Sequence, residues 1–169
     1  MDFMEAILTR RSIRRFTGEK ISDEALQEVL KAGFHAPSAH NRQPWHFVVV
    51  RDRKKFEEIM AVHPYTKMLE TADVCLVVCG DTKKQSEVGF LVEDCSAAIE
   101  NMLIAVSGLG LGAVWCGVHP IEKLVNTVSQ TISLPSHILP IGLVVIGCKA
   151  EDRTVRDRFD ESKIHYENW

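Results

Sequence analysis

Residues 87–118 read EVGFLVEDCSAAIENMLIAVSGLGLGAVWCGV and form the longest patterned stretch of the chain. Apolar and small side chains recur at helical spacing from Leu91 to Leu109, which predicts a helix over residues 87–109. Few charges follow Glu100, so this helix is expected to be central and almost wholly buried. The segment LGAVWCGV (111–118) then predicts a short strand. The fold is therefore expected to be assembled around this helix and the strand that follows it.

The glycines between helix and strand, GLGLG (108–112), do not indicate a dinucleotide-binding loop. In a Rossmann fold the glycine-rich loop follows a strand and opens a helix, whereas these glycines follow a helix and open a strand. That position is ordinary for a helix C-cap and a tight turn. The first strand, near residues 46–50, is followed by RDRKKF without a glycine. A nicotinamide bound in a Rossmann crevice is therefore not expected.

Helix and strand patterns alternate along the rest of the chain. Ser22 and Asp52 stand where N-caps are expected, each before a helical pattern. The expected helices cover residues 2–10, 21–36, 53–61, 87–109 and 121–131, and the expected strands cover 45–50, 72–80, 111–118 and 139–148. ADVCLVVCG (72–80) is apolar almost throughout, as in a strand buried on both faces. Neither a repeat nor a linker interrupts the pattern, so residues 1–169 are expected to form a single domain.

Composition argues against several classes of function. The net charge is −3 and 46% of the residues are hydrophobic. No apolar run approaches the roughly 20 residues of a transmembrane helix, and the N-terminus lacks the pattern of a signal peptide. The five cysteines form no CxxC pair, and His35, His40 and His46 have no acidic residue nearby, so no metal site is expected. We expect a reduced, cytoplasmic protein that does not associate with a membrane.

The strongest local charge is in RRSIRRF (10–16), where four arginines surround a serine: Arg10, Arg11, Ser12, Arg14 and Arg15. A solvated helix end would explain it, because cations suit the C-terminal end of a helix dipole. A nucleic-acid site would need further basic stripes, and the acidic net charge argues against one. The third interpretation is a small-molecule phosphate or carboxylate held by guanidinium groups. A second basic pair in the tail, Arg156 and Arg158, favours this third interpretation.

A stiff polar loop, PSAHNRQPW (37–45), runs into the strand of residues 45–50. Its two prolines restrict the backbone, so Ser38, Asn41 and Gln43 are held more rigidly than in a flexible connector. A rigid loop loses less entropy when it binds a ligand. Together with the two arginine groups, the loop favours a phosphorylated ligand that carries a polar heterocycle.

Five segments together resemble the nitroreductase family of FMN-dependent oxidoreductases. They are RRSIRRF, APSAHNRQPWHFVVV, TKMLETADVCLVV, EDCSAAIENMLIAVSGLGLGAVWCGV and RDRFDESKIHYENW, in the family's order along nearly the whole chain. The resemblance implies an α+β fold with a central mixed, mostly antiparallel sheet flanked by helices. It also implies an obligate homodimer with exchanged C-terminal tails, FMN in two clefts along the interface, and NADH or NADPH as reductant. Longer members carry helical insertions that shape the substrate cleft. In this chain the two segments of residues 45–85 and 117–139 have little room for such insertions.

The resemblance also implies roles for individual residues. The phosphate and ribityl chain of FMN would meet the two basic groups, namely Arg10, Arg11, Ser12, Arg14, Arg156 and Arg158. The loop contributed across the interface would supply Pro37, Ser38 and Asn41, with Gln43 in support. Lys67 would lie near the pyrimidine edge of the flavin and stabilise negative charge on its reduced form. Cys116 and Gly117 would direct backbone N–H groups toward flavin N5, and no side chain is expected to act as acid, base or nucleophile.

Alternatives stay open for two residues and for the function. Trp115 is either a core residue or a flavin contact. Cys116 is either a backbone contributor or a reactive thiol, although no neighbouring His or Cys would activate it. The protein reduces nitroaromatics or quinones with NAD(P)H, or it is a flavin enzyme of the same fold with another task, such as flavin reduction, dehalogenation or flavin fragmentation. The third possibility is a non-enzymatic FMN-binding protein.

Overall fold

The computed structural model describes residues 2–169, which form five α-helices and four strands. The helices are α1 (Phe3–Thr9), α2 (Asp23–Phe34), α3 (Arg53–Met60), α4 (Val88–Gly108) and α5 (Glu122–Thr131). The strands are β1 (Trp45–Val50), β2 (Val74–Asp81), β3 (Gly112–Gly117) and β4 (Ile138–Gly147). Every helix and strand predicted from the sequence is present, with ends within about two residues of those expected. Three short 3₁₀ turns, Ala39–Asn41, Lys67–Glu70 and Glu161–Lys163, were not predicted.

Side-chain caps begin the helices that the sequence marked. Ser22 accepts a hydrogen bond from the backbone N–H of Ala25 at 3.1 Å, and Asp52 accepts one from Lys54 at 2.9 Å. Each bond satisfies an amide that a helix leaves unpaired in its first turn. The two predicted N-caps are therefore confirmed.

The four strands form one sheet in the order β1-β2-β4-β3, and all three pairings are antiparallel. The family resemblance predicted a mixed, mostly antiparallel sheet. Among residues 2–169 the parallel component is reduced to a single bridge between Ser12 and Ala113. β1 and β3 are consequently the two edges of the sheet, and the helix-flanked α+β fold is confirmed.

Two apolar clusters lie on opposite faces of the sheet. The alternation along β1 separates them, because Trp45 packs with α2 and α4 while Val50 packs with α3 and α5. β2 is buried along its whole length, as its continuous apolar sequence predicted. None of the helices in the described part of the chain has the length and hydrophobicity needed to span a membrane.

Helix α4 packs against α1, α2 and all four strands, which confirms its central place. Eight of its 21 residues are buried, so the prediction of almost complete burial is wrong. Val88 and Phe90, in the first turn of the helix, are 44% and 45% exposed.

The C-terminal tail, residues 151–169, leaves its apolar side chains in water. Every residue from 152 to 169 is exposed, including Val155, Phe159, Ile164, Tyr166 and Trp169. Helix α1 likewise exposes one apolar face, with Phe3 73% and Leu8 60% exposed. Apolar surfaces of this kind usually mark an interaction site.

Candidate functional site

Edge strand β3 presents backbone groups on its outer side. Ile13 donates its N–H to the carbonyl of Ala113 at 2.9 Å, so Ala113 faces away from β4. In an antiparallel strand the N–H and C=O of one residue point to the same side, and successive residues point to opposite sides. Trp115 and Gly117 therefore face outward with Ala113, and the N–H of Cys116 faces β4. This geometry does not fit the expectation that Cys116 directs its N–H toward a flavin. It fits the same expectation for Gly117.

An apolar cleft of about 490 Å³ opens at this end of β3. Its walls are mainly aliphatic and aromatic, with two cations and no acid among the lining residues: Arg14, Val62, His63, Pro64, Tyr65, Trp115, Cys116, Gly117, Ile121, Lys123 and Leu124. A Cβ added to Gly117 would meet no heavy atom within 4 Å, so the backbone at this position lies open to the cleft.

Trp115 forms one wall of the cleft. The indole is 38% exposed and lies over Gly142, where a Cβ would collide with the indole nitrogen. Gly142 therefore leaves the space that the ring occupies beside the sheet. The alternative that Trp115 is an ordinary core residue does not hold.

A cationic pocket of about 390 Å³ lies between the N-terminal arginines and the tail. It is lined by Arg11, Ser12, Arg153, Thr154, Arg156 and Arg158, with no acidic residue among them. Arg11 connects the two segments, because its guanidinium donates to the carbonyls of Thr154 and Arg156 at 3.4 Å each. The structure thus brings together four residues predicted to bind phosphate: Arg11, Ser12, Arg156 and Arg158.

Residues 12–14 join the cationic pocket to the apolar cleft. Ser12 lines the pocket and Arg14 lines the cleft, and two residues of extended chain span about 7 Å. The backbone N–H of Arg14 donates to the carboxylate of Glu151 at 2.7 Å, which fixes this segment against the tail. The same hydrogen bond holds the pKa of Glu151 below its ordinary value.

The polar loop of residues 37–43 is stiff for a second reason besides its prolines. His40, Asn41 and Gln43 have φ values of 53°, 53° and 46°, in the left-handed region that non-glycine residues seldom occupy. Ser38 accepts the backbone N–H of Gln43 at 3.0 Å, and the amide of Gln43 donates to Asn41 at 3.2 Å. The loop is therefore fixed by its own side chains, while Asn41 and Gln43 stay exposed.

Two buried side chains anchor this loop to the start of α4. Asp94, 5% exposed, accepts the backbone N–H of Ala39 at 2.8 Å. Gln85, fully buried, accepts a hydrogen bond from the guanidinium of Arg42 at 2.7 Å. Burial of such polar groups is costly without partners, so these contacts hold the loop in one conformation.

Within one chain the loop and the cleft lie at opposite edges of the sheet. The loop leads into β1 and Gly117 ends β3, with β2 and β4 between them, about 14 Å at the usual strand spacing. Pro37, Ser38, Asn41 and Gln43 line neither the cleft nor the cationic pocket. One chain therefore does not bring all the predicted site residues together.

Arg10 and Lys67 also lie outside the cleft and the cationic pocket. The guanidinium of Arg10 pairs with the carboxylate of Glu100 on α4 at 3.2 Å, which supports a structural role for this arginine. Lys67 begins a 3₁₀ turn and is exposed, two residues after Tyr65 of the cleft wall.

The thiol of Cys116 has the properties of a structural group. It is 5% exposed and donates to the carbonyl of Tyr65 at 3.3 Å. Burial raises the pKa of Cys116 to about 11, although the nearby Arg14 acts in the opposite direction. The thiolate, which is the nucleophilic form, is therefore scarce at neutral pH.

We expect Cys116→Ala to keep most of the activity with NAD(P)H, because its buried thiol contacts the carbonyl of Tyr65 and its backbone N–H faces β4. Alkylation of Cys116 in the native protein should be slow at pH 7 and accelerate only as the pH approaches about 11. Mass spectrometry of the alkylated native chain measures this rate, with the half-buried Cys148 as an internal comparison. Rapid inactivation by a thiol reagent at pH 7, together with an inactive Cys116→Ala, would contradict a structural role.

Several residues of the site were not singled out from the sequence. Arg153 joins the cationic pocket, and His63 and Tyr65 join the cleft. Arg153 could have been noticed as a third arginine of the tail, two residues before Val155. The segment VHPYT (62–66) has no motif that marks it, because its role depends on contacts with β3 more than 50 residues away.

The helix-flanked antiparallel sheet is shared with solved structures of nitroreductases. The nitroreductase family model matches residues 7–64 and 60–148. The chain belongs to the nitroreductase family.

Individual relatives match along the whole chain. A protein of Methanothermobacter thermautotrophicus, named "Putative NADH dehydrogenase/NAD(P)H nitroreductase", is 44% identical over 100% of this chain and 88% of its own length. A crystal structure of a protein of the same name from Parabacteroides distasonis has a TM-score of 0.95 and 35% identity, covering 99% of this chain and 98% of that one. A structure from Desulfovibrio desulfuricans, solved in complex with FMN, has a TM-score of 0.86 and 30% identity, covering 100% and 98%.

Proposed function

We propose that the protein is an FMN-dependent oxidoreductase that takes electrons from NADH or NADPH and passes them in pairs to nitroaromatic, quinone or similar acceptors. The observation that carries the proposal is an apolar cleft and a cationic pocket joined by residues 12–14. Membership of the nitroreductase family and the FMN complex of a relative support it.

The residues present fit FMN. Its phosphate matches a pocket with four arginines and two hydroxyl side chains. Its flat ring system matches a cleft with aromatic and aliphatic walls, and the outward N–H of Gly117 is a donor for the ring edge. A hydrogen bond to a charged group contributes about 1.5–3 kcal/mol, so three or four of them can hold the cofactor without a covalent link.

When bound, FMN supplies the two-electron chemistry between the nicotinamide and the acceptor. The chain binds and orients the cofactor. Arg11, Ser12, Arg156 and Arg158 would hold the phosphate, and the backbone of Gly117 would face the edge of the flavin that carries N5. Trp115 forms a wall that excludes water from the ring.

We further propose a homodimer in which the loop of one copy completes the cleft of the other. In this arrangement Pro37, Ser38, Asn41 and Gln43 reach the flavin of the partner, which their position at the opposite edge of the sheet supports. The exposed apolar tail and the exposed face of α1 supply a surface that a second copy would cover. Lys67 is proposed to approach the pyrimidine edge of the flavin.

We infer a reducing, cytoplasmic setting for a single domain of residues 1–169. All five cysteines are free, and four of them are buried. Burial raises the pKa of Cys79 and Cys95 to about 12, which suits thiols that serve as small apolar groups.

The proposal is tested on the purified protein. We expect it to be yellow, to release FMN and not FAD on denaturation, and to turn over with NADH or NADPH. A screen with a nitroaromatic, a quinone and free flavin then identifies the acceptor. Recovery of FAD, or a colourless protein that added FMN does not tint, would rule out this function.

Arg14→Ala is expected to weaken FMN binding by about 2 kcal/mol, roughly 30-fold in Kd, because its guanidinium lines the cleft beside the pocket. Arg10→Ala should have a smaller effect, since Arg10 already pairs with Glu100. Arg15→Ala is the matched control, because its side chain is exposed and lines neither the cleft nor the cationic pocket. Fluorescence titration of each apoprotein with FMN measures the Kd of the three variants. Equal affinities in Arg14→Ala, Arg10→Ala and Arg15→Ala would identify the arginines as a solvated helix end.

A further inference from the structure

Both ring nitrogens of His63 contact backbone groups in the walls of the cleft. The residue lies between α3 and the Lys67–Glu70 turn and is only 4% exposed. Its Nε2 is 2.8 Å from the carbonyl oxygen of Gly117, and its Nδ1 is 3.2 Å from the backbone nitrogen of Tyr65. A single buried side chain therefore contacts the flavin-facing end of β3 and the segment opposite it.

The two partners determine the tautomer of His63. A carbonyl oxygen only accepts, so Nε2 carries the proton and donates to Gly117. A backbone N–H only donates, so Nδ1 is bare and accepts from Tyr65. The ring is therefore a neutral imidazole with its proton on Nε2, and each bond depends on the other.

Further hydrogen bonds fix the same segment. The buried hydroxyl of Thr66 donates to the carbonyl of His63 at 2.9 Å. The thiol of Cys116 donates to the carbonyl of Tyr65 at 3.3 Å, so both backbone groups of Tyr65 are held. The side chain of Tyr65 remains 76% exposed at the mouth of the cleft.

We propose that His63 is a positioning residue that sets the spacing between Gly117 and Tyr65, and so the width of the cleft in which flavin and electron acceptor meet. Through Nε2 it orients the end of β3 that faces the flavin, and through Nδ1 it holds the segment of Tyr65 at the mouth of the cleft, where an acceptor would enter. This inference rests on the proposed function, because Gly117 is assigned there as the contact of flavin N5.

Two substitutions separate the two bonds. The side-chain amide of Gln at position 63 reaches the place of Nε2, so His63→Gln keeps the donor to Gly117 and loses the acceptor for Tyr65. The shorter Asn places its oxygen near Nδ1, so His63→Asn keeps the acceptor and loses the donor. His35→Gln at the exposed end of α2 is the control for loss of an imidazole elsewhere.

The expected results differ in kind. His63→Asn should slow flavin reduction by NADH or weaken FMN by about tenfold, the usual effect of one lost hydrogen bond, with little change in KM for the acceptor. His63→Gln should keep FMN affinity and the flavin spectrum and raise KM for the acceptor by a similar factor. Unchanged kinetics in both variants, or equal losses in both that follow a lowered Tm, would overturn the proposal.

The tautomer provides a test that needs no activity. ¹⁵N NMR of the imidazole in the FMN-free protein should show the proton on Nε2, and a proton on Nδ1 would overturn the proposal even if neither variant folds. A wild-type protein that binds no FMN would refute the proposed function instead. In an FMN-free wild type, slow hydrogen exchange of the Tyr65 amide that is lost in His63→Gln, together with the proton on Nε2, would still support the two bonds of His63. Fast exchange of that amide in the wild type would refute them.

Discussion

Removal of residues 151–169 is expected to leave a folded chain that is monomeric and colourless. The tail contributes three of the four arginines of the cationic pocket, namely Arg153, Arg156 and Arg158. It also carries the exposed apolar side chains that a second copy is proposed to cover. Since residues 152–169 are exposed throughout, the two apolar clusters of the sheet lose nothing when the tail is removed. Circular dichroism measures whether the fold is kept, and analytical ultracentrifugation measures the oligomeric state. Visible absorbance measures the amount of bound FMN.

Two further variants separate the two roles of the tail. Arg156→Ala with Arg158→Ala should stay dimeric and lose about 4 kcal/mol of FMN binding at roughly 2 kcal/mol for each charged contact. A chain ending at Asp160 keeps these arginines but lacks Ile164, Tyr166 and Trp169, so it should lose association first. A chain ending at Ala150 that remains dimeric and yellow would contradict both roles.

Gly117→Val is expected to weaken FMN binding strongly, or to slow flavin reduction, while the chain keeps its fold. A Cβ at Gly117 meets no heavy atom within 4 Å apart from its chain neighbours, and valine favours strands, so the fold is expected to tolerate the substitution. The branched side chain would instead project into the cleft and hold the flavin edge away from the backbone N–H. Overpacking of this kind costs about 2–3 kcal/mol, roughly 30- to 160-fold in Kd for FMN.

A graded series makes this test specific. Gly117→Ala should give an intermediate loss, because it adds one methyl group where Val adds three carbons. Gly108→Ala is the matched control, since its Cβ also meets open space, at the end of α4. An active Gly117→Val beside an inactive Cys116→Ala would move the chemistry from the flavin to the sulfur. A lowered Tm in Gly117→Val alone would instead indicate a packing role for this glycine.

The sequence by itself determined the helices and strands and their order along the chain. The signals for them are local: an N-cap such as Ser22 acts on amides within three residues, and helical or alternating periodicity is visible within one segment. The stiffness of the 37–43 loop was visible for the same reason, since prolines act on their own and the preceding residue. The resemblance to the nitroreductase family also rested on short segments in a fixed order.

The tertiary structure alone decided how these pieces converge. Arg11 meets the tail across 145 positions of the chain, and His63 meets Gly117 across 54. Which amide of β3 faces the site depends on its register with β4 and with Ile13, which no local pattern specifies. The order of the strands separates the loop from the cleft, which is why a second copy is proposed to complete the site. Contacts of this kind follow from packing distant segments into one core, so they are fixed only when the whole chain folds.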